Sequence, residues 1–131
     1  MNDEKPRSRA DDEQIINDVA RSYLESWLDG DGERMRSSLS PKLAKRGLDY
    51  GSDLTATDVH HLDAEYMVDS AARGPRRQFA RTCTVEILDI ADNIASVKVT
   101  SEPFIDYLHL AKLNGQWSIV NVLYEDRNPT A

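Results

Sequence analysis

Cysteine is nearly absent. A single Cys83 in 131 residues cannot close an internal disulfide, which excludes a disulfide-stapled scaffold. Glycine and proline are also sparse, at six and five, and this excludes collagen-like and Pro/Gly-rich low-complexity chains. Basic charge is in deficit: sixteen Lys and Arg against 23 Asp and Glu leave a net charge of −7. That is the wrong sign for neutralising phosphates, so neither nucleic acid nor an anionic membrane is an expected partner. No apolar run approaches the ~20 residues of a membrane span. The opening MNDEKPRSRA is charged where a signal peptide carries its apolar stretch, and the expected location is the cytoplasm. The remainder is 40% hydrophobic and 30% charged, and a chain of this length buries roughly two-thirds of its unfolded surface. The expectation is one globular domain over residues 11–126, with a mobile leader at 1–10 and a tail at 127–131.

Ile15, Ile16, Val19, Ala20, Tyr23, Leu24, Trp27 and Leu28 recur at one, three and four residues, the apolar stripe of a helix. Asp11 serves as its cap with Gln14 three positions on, and Gly30 ends it. A short helix is predicted over Glu33–Leu39. Another is predicted with Ser40 as cap and Pro41 at the first helical position, running to Arg46 before Gly47. Residues 49–62 lack a clear period, and Val59 there fits a short edge strand. Asp63 caps a further helix over Ala64–Ala72, which Gly74-Pro75 terminates.

After residue 78 the period becomes alternating and β-branched residues accumulate through TCTVEILDI, NIASVKVTS, FIDYLHLAKL and QWSIVNVLYE, the pattern of an antiparallel meander. Asn114-Gly115 suits a two-residue type I′ turn. That turn pairs Leu113 with Gln116 and places Asp106, Leu108 and Leu110 opposite Leu123, Asn121 and Ile119 on one face. The reverse face then carries Tyr107, His109, Val120 and Val122. The hairpin around Ala91-Asp92-Asn93 accepts either a two- or a three-residue loop, with opposite facings. Apolar residues on both faces mean either that helices cover part of each or that the second face meets another copy, so a homodimer through the sheet is expected.

The segment YLESWLDGD from Tyr23 to Asp31 and the closing meander from Asp106 to Tyr124 around NGQW resemble the nuclear-transport-factor-2-like superfamily. Within it, the chain is similar over residues 13–125 to the putative lumazine-binding family, neighbours of the SnoaL-like polyketide cyclases. The resemblance implies a cone-shaped α+β fold, with N-terminal helices packed on a curved antiparallel sheet, a pocket between them, and commonly a dimer. It implies no single activity, because the superfamily holds isomerases, cyclases, dehydratases and transport adaptors.

Asp106 is the most informative carboxylate. It either ends an apolar stripe inside the pocket, where desolvation raises its pKa into acid–base range, or is solvated at the rim. Asn121, between Ile119 and Leu123, needs a partner if buried, whether a ligand or Asp106. Tyr23 and Trp27 lie four apart on the buried stripe of the first helix; they either stack a planar ligand or fill the core, and Tyr66 has the same two readings. His60-His61 and His109 lack metal-ligand spacing, and the acidic turn Asp29–Glu33 lacks the sixth-position Gly and twelfth-position Glu of a calcium loop. Arg73, Arg76, Arg77 and Arg81 around Gly74-Pro75 either hold an anionic ligand tail or remain solvated. Walker A, G-x-G-x-x-G and G-x-S-x-G patterns do not occur, and no cofactor is implied.

Three readings follow. The first is a domain binding a small planar or polycyclic molecule in an apolar cavity between the first helix and the sheet, lined by Tyr23, Trp27, Tyr66, Leu108, Ile119 and Asn121. The second is an isomerase, cyclase or dehydratase using Asp106 as general acid or base. A dimeric adaptor with a filled core is the third possibility.

Overall fold

The structure, a computed structural model, describes residues 7–130. Of the expected leader, residues 1–6 lie outside the described residues, and Arg9 and Ala10 already belong to the first helix. That helix, α1 (Arg9–Asp29), starts at a capping box: Ser8 Oγ accepts from the Asp11 N–H at 3.1 Å, and the Asp11 carboxylate accepts from the Ser8 N–H at 3.1 Å. Asp11 is therefore the third helical residue rather than the cap, and the helix begins earlier than the apolar stripe alone indicates. Gly30, at φ 77°, ends it in the left-handed conformation. There α1 meets the Gly74-Pro75 loop so closely that a side chain at position 30 would overlap the loop backbone.

Helix α2 (Gly32–Ser38) is capped by Asp31 and runs directly into strand β1 (Leu39–Tyr50). The helix expected over Pro41–Arg46 is thus a strand. Leu, Ala, Lys and Arg favour a helix in isolation, but β1 lies between two strands that satisfy its backbone, and tertiary pairing overrides propensity. Strand β2 (Ala56–Leu62) pairs antiparallel with β1, which puts Val59 on an edge strand as expected. Helix α3 (Ala64–Ala72) follows, its first turn held by Asp63 Oδ1 accepting from the Tyr66 N–H at 2.8 Å.

Strands β3 (Cys83–Ile90), β4 (Ile94–Ser101), β5 (Phe104–Leu113) and β6 (Gln116–Asp126) form the meander. The open six-stranded sheet runs β2-β1-β6-β5-β4-β3, antiparallel throughout except for the parallel pair β1–β6. Helix α1 lies across its inner face, where Ile16, Ala20 and Leu24 pack in one core with Val97, Val99, Leu108, Leu110 and Ile119.

The β5–β6 turn has positive φ at Asn114 and Gly115, as a type I′ turn demands. Pairing follows the expected register from Leu113↔Gln116 to Leu110↔Ile119 and then slips at a bulge, so that His109 faces Asn121, Leu108 faces Val122 and Asp106 faces Tyr124. One extra residue inverts every facing beyond it. Val122 and Tyr124 turn inward, while Asn121 and Leu123 turn outward. In the β3–β4 hairpin, the Ala91 N–H donates to Ile94 O at 2.8 Å across a two-residue Asp92-Asn93 turn, and Leu88 is displaced at a second bulge.

Candidate functional site

One end of the inner sheet face is not filled. A pocket of about 230 Å³ opens there, between α1, α3 and strands β1, β2, β5 and β6. Its floor is polar and deeply buried. Asp106 is 1% exposed and Lys45 7% exposed, and the Tyr23 hydroxyl bridges them, accepting from Lys45 Nζ at 2.6 Å and donating to Asp106 Oδ1 at 3.3 Å. The second carboxylate oxygen, Asp106 Oδ2, is buried without any hydrogen-bond partner among the described residues. Such an atom costs about 1–3 kcal/mol when left unpaired.

Burial pushes the Asp106 carboxyl up to about 6, with the Lys45 charge and the Tyr23 hydrogen bond opposing the rise. Burial also pulls the Lys45 ammonium down to about 8, against the attraction of Asp106. Tyr23 is raised well above the ordinary tyrosine value, by burial first and then by the Asp106 charge. Desolvation thus drives the acid and the amine of one buried pair toward their neutral forms. Asp12 is the contrasting buried acid: both of its oxygens are engaged, by Trp117 Nε1 at 2.9 Å and Lys112 Nζ at 3.3 Å.

The walls are aromatic. Trp27 meets Phe104 edge-on at 5.2 Å, and Phe104 meets Tyr124 edge-on at 5.3 Å. Lys45 Nζ lies 4.6 Å from the Tyr124 ring centre, a cation–π contact. The ring occupies this place because Gly47 is its strand neighbour, and any side chain there would overlap it. Burial pushes the Tyr124 hydroxyl up to about 12. It sits 3.0 Å from His60 Nε2, and His60 Nδ1 sits 2.8 Å from Asp49 Oδ1. Because a carboxylate only accepts, the neutral imidazole carries its proton on Nδ1 and Nε2 accepts from Tyr124. Tyr66, 46% exposed, stands at the rim.

The model of the family described as "Putative lumazine-binding" matches residues 11–125. The chain belongs to that family. The chain is also similar to solved structures. An NTF-2 like protein of unknown function from Silicibacter pomeroyi DSS-3 superposes with TM-score 0.75 at 15% identity, over 92% of this chain and 100% of that one. An NTF2-like protein of unknown function from Methylobacillus flagellatus KT gives 0.69 at 24%, over 93% and 97%. A ketosteroid isomerase-like protein from Erwinia carotovora atroseptica gives 0.60 at 12%, over 88% and 96%. At such identities the likeness carries the fold alone, an α+β cone of helices on a curved, open sheet. Comparison with curated proteins gives no match.

Of the residues singled out by sequence, the pocket of this lumazine-binding family member brings together Asp106, Tyr23, Trp27 and Tyr66. Leu108 and Ile119, both 0% exposed, lie in the core and do not line the pocket. Asn121 is a correction: the bulge turns it onto the outer face, where its amide nitrogen lies 3.4 Å from His109 Nδ1. Two of the four clustered arginines are engaged within the fold. Arg76 donates to Trp27 O at 2.8 Å and Ser70 O at 2.7 Å and stacks on Trp27, and Arg81 pairs with Asp29 at 2.7 Å. Sequence reasoning missed Lys45, His60, Phe104 and Tyr124. The spacing Leu43-x-Lys45-x-Gly47 was the available signal for Lys45, an alternation that places the lysine on the buried side of a strand.

Proposed function

We propose that this chain is a small-molecule-binding domain whose pocket holds a compact planar heterocycle, the rings against Trp27, Phe104 and Tyr124 and an N–H or O–H of the ligand on Asp106 Oδ2. The observation that carries this reading is the unpartnered Asp106 oxygen, buried at an aromatic pocket. A ligand donor recovers the unmade hydrogen bond, while an apolar ligand leaves it unmade. At about 230 Å³ the pocket lies below the roughly 300 Å³ at which drug-sized sites begin. One or two fused rings are therefore favoured over a steroid or a tetracyclic polyketide, narrowing the expectation of a planar or polycyclic ligand. The family's description supports a bicyclic pteridine of the lumazine type.

A thermal-shift screen of pteridines, flavins, steroids and polyketide aromatics, followed by calorimetry, tests the reading. Pteridines are expected to stabilise the fold and steroids are not. Asp106→Asn keeps an acceptor and should lose no more than about tenfold in affinity, ~1.4 kcal/mol. Stabilisation by no compound would refute the proposal.

One observation favours a second, enzymatic reading. A carboxyl held at about 6 beside a tyrosine hydroxyl and a buried amine suits general acid–base catalysis of an isomerase, cyclase or dehydratase reaction. Under that reading Asp106→Asn lowers turnover at least about a hundredfold once a substrate is in hand. The homodimer is also retained as a proposal, supported by the outward Tyr107 and Leu123, each 48% exposed on the central strands β5 and β6.

A further inference from the structure

We propose that Lys45 captures carbonyl groups: its amine condenses with an aldehyde or ketone on the small molecule occupying the pocket, giving an iminium adduct while Tyr23 and Asp106 move the protons. The inference rests on the reading that the pocket admits a small organic molecule, and it adds the chemical class of that molecule.

Lys45 differs from the other lysines of the described residues. Lys42 is exposed, Lys98 lies on the outer face near Tyr107, and Lys112 is paired with Asp12 at 3.3 Å. Lys45 alone lines the pocket, 7% exposed, and its one hydrogen bond runs to a neutral hydroxyl rather than to a carboxylate. The groups around it are Tyr23 from α1, Asp106 from β5, Tyr124 from β6, His60 from β2 and Tyr66 from α3. Among these, Asp106 is the counter-charge, and it is reached through Tyr23.

The order of the contacts defines a proton path. Lys45 donates to the Tyr23 oxygen while Tyr23 donates to Asp106 Oδ1, so one concerted shift turns ammonium and carboxylate into amine and carboxylic acid. Both products are neutral, the forms that burial favours. The free amine then adds to the carbonyl carbon to form a C–N bond, and its proton passes to the carbonyl oxygen, giving a neutral carbinolamine. Loss of the C–O bond expels hydroxide, which takes the proton held by Asp106 and leaves as water. The iminium keeps one positive charge and Asp106 regains its negative charge, so atoms and charges balance with no added reagent. That proton sits on Asp106 Oδ1, where Tyr23 delivered it, and it returns by the same relay: Tyr23 gives its hydroxyl proton to the departing oxygen beside Lys45 and takes the one held by Asp106. An amine drawn down to about 8 is nucleophilic near neutrality, as activated lysines are.

The test is reductive trapping with benzaldehyde and sodium cyanoborohydride, followed by peptide mass spectrometry of each lysine. At pH 7 Lys45 is expected to be benzylated at least about tenfold faster than Lys42, Lys98 or Lys112. Between pH 7 and pH 9 its rate should rise no more than about tenfold, against about a hundredfold for a lysine of ordinary pKa. Tyr23→Phe should slow Lys45 at least about tenfold and leave the exposed lysines unchanged. Lys45→Arg, which keeps the charge and so protects the fold, should remove the adduct. Equal or slower labelling of Lys45 overturns the inference, as does an unchanged rate in Tyr23→Phe. Calorimetry with a pteridine lacking a free aldehyde or ketone runs in parallel: its binding with no preferred labelling defeats the carbonyl chemistry alone, and its failure to bind defeats the binding reading itself.

Discussion

Replacing Asp106 by asparagine removes an ionisable group while preserving the volume of a side chain that is 1% exposed. In the folded protein this carboxyl is held at about 6, against an ordinary 3.8, so the native state binds its proton more tightly than the unfolded chain does. The stability linked to that proton is complete below the unfolded value and is lost as pH rises through the folded one. The loss amounts to about 3 kcal/mol. Lys45 acts in the opposite direction: its folded value of about 8 lies below the ordinary 10.5, so burial of the ammonium destabilises at low pH and the cost is relieved above 8. The pair is therefore at its least favourable between pH 6 and 8, and the variant isolates the acid limb. Urea unfolding of wild type and Asp106→Asn from pH 4 to 7 measures it directly. The stability of the variant relative to wild type should rise by about 2–3 kcal/mol across that window. Parallel curves, within about 0.5 kcal/mol, would refute both the burial of Asp106 and the reasoning built on it.

Gly47→Ala forces a methyl group into the Tyr124 ring and should cost about 1–3 kcal/mol in thermal or urea unfolding, with weaker ligand binding; no change would mean that the ring has another place to lie. Asn121→Ala, on the outer face, should alter stability by no more than about 0.5 kcal/mol and leave affinity for any pocket ligand untouched, and a tenfold loss of binding would reverse that assignment. Sedimentation should give a dimer at about 50 μM; a sharp species at the chain mass of 14.8 kDa would exclude association through the outer sheet face.

Much of the fold was legible because its signals are local and redundant. The stripe from Ile15 to Leu28, Gly30 after it, Asp63 before α3 and Asn114-Gly115 each state their structure within a few residues. Strand β1 was not legible, since it contains no β-branched residue and Ser40-Pro41 imitates a helix start; only its pairing with β2, the next element, and with β6, distant in sequence, makes it a strand. Lys45 was lost with it. The β6 bulge is the other case. Nothing in Ser118-Ile119-Val120-Asn121 announces an extra residue, yet it exchanges Asn121 for Val122 and Leu123 for Tyr124 on the inner face. Asp106, Tyr23 and Trp27 remained readable because they precede the bulge or lie on α1, so an error in β6 register does not move them. His60 is not legible as a pocket residue because His60-His61 invites comparison only with metal-ligand spacing, whereas in the structure its Nε2 lies 3.0 Å from the hydroxyl of Tyr124.

The most direct measurement is a ¹H–¹⁵N NMR titration of the ¹⁵N-labelled protein with lumazine, the bicyclic probe to which the pocket size and the family point. Saturable shifts confined to the amides around Tyr23, Trp27, Lys45, Phe104 and Asp106, weakened in Asp106→Asn, are the expected result. A second hollow of about 310 Å³ on the outer face, beside His109, Val120 and Asn121, provides the internal control. Shifts centred there, or none at all, would contradict the assignment of binding to the Asp106 pocket.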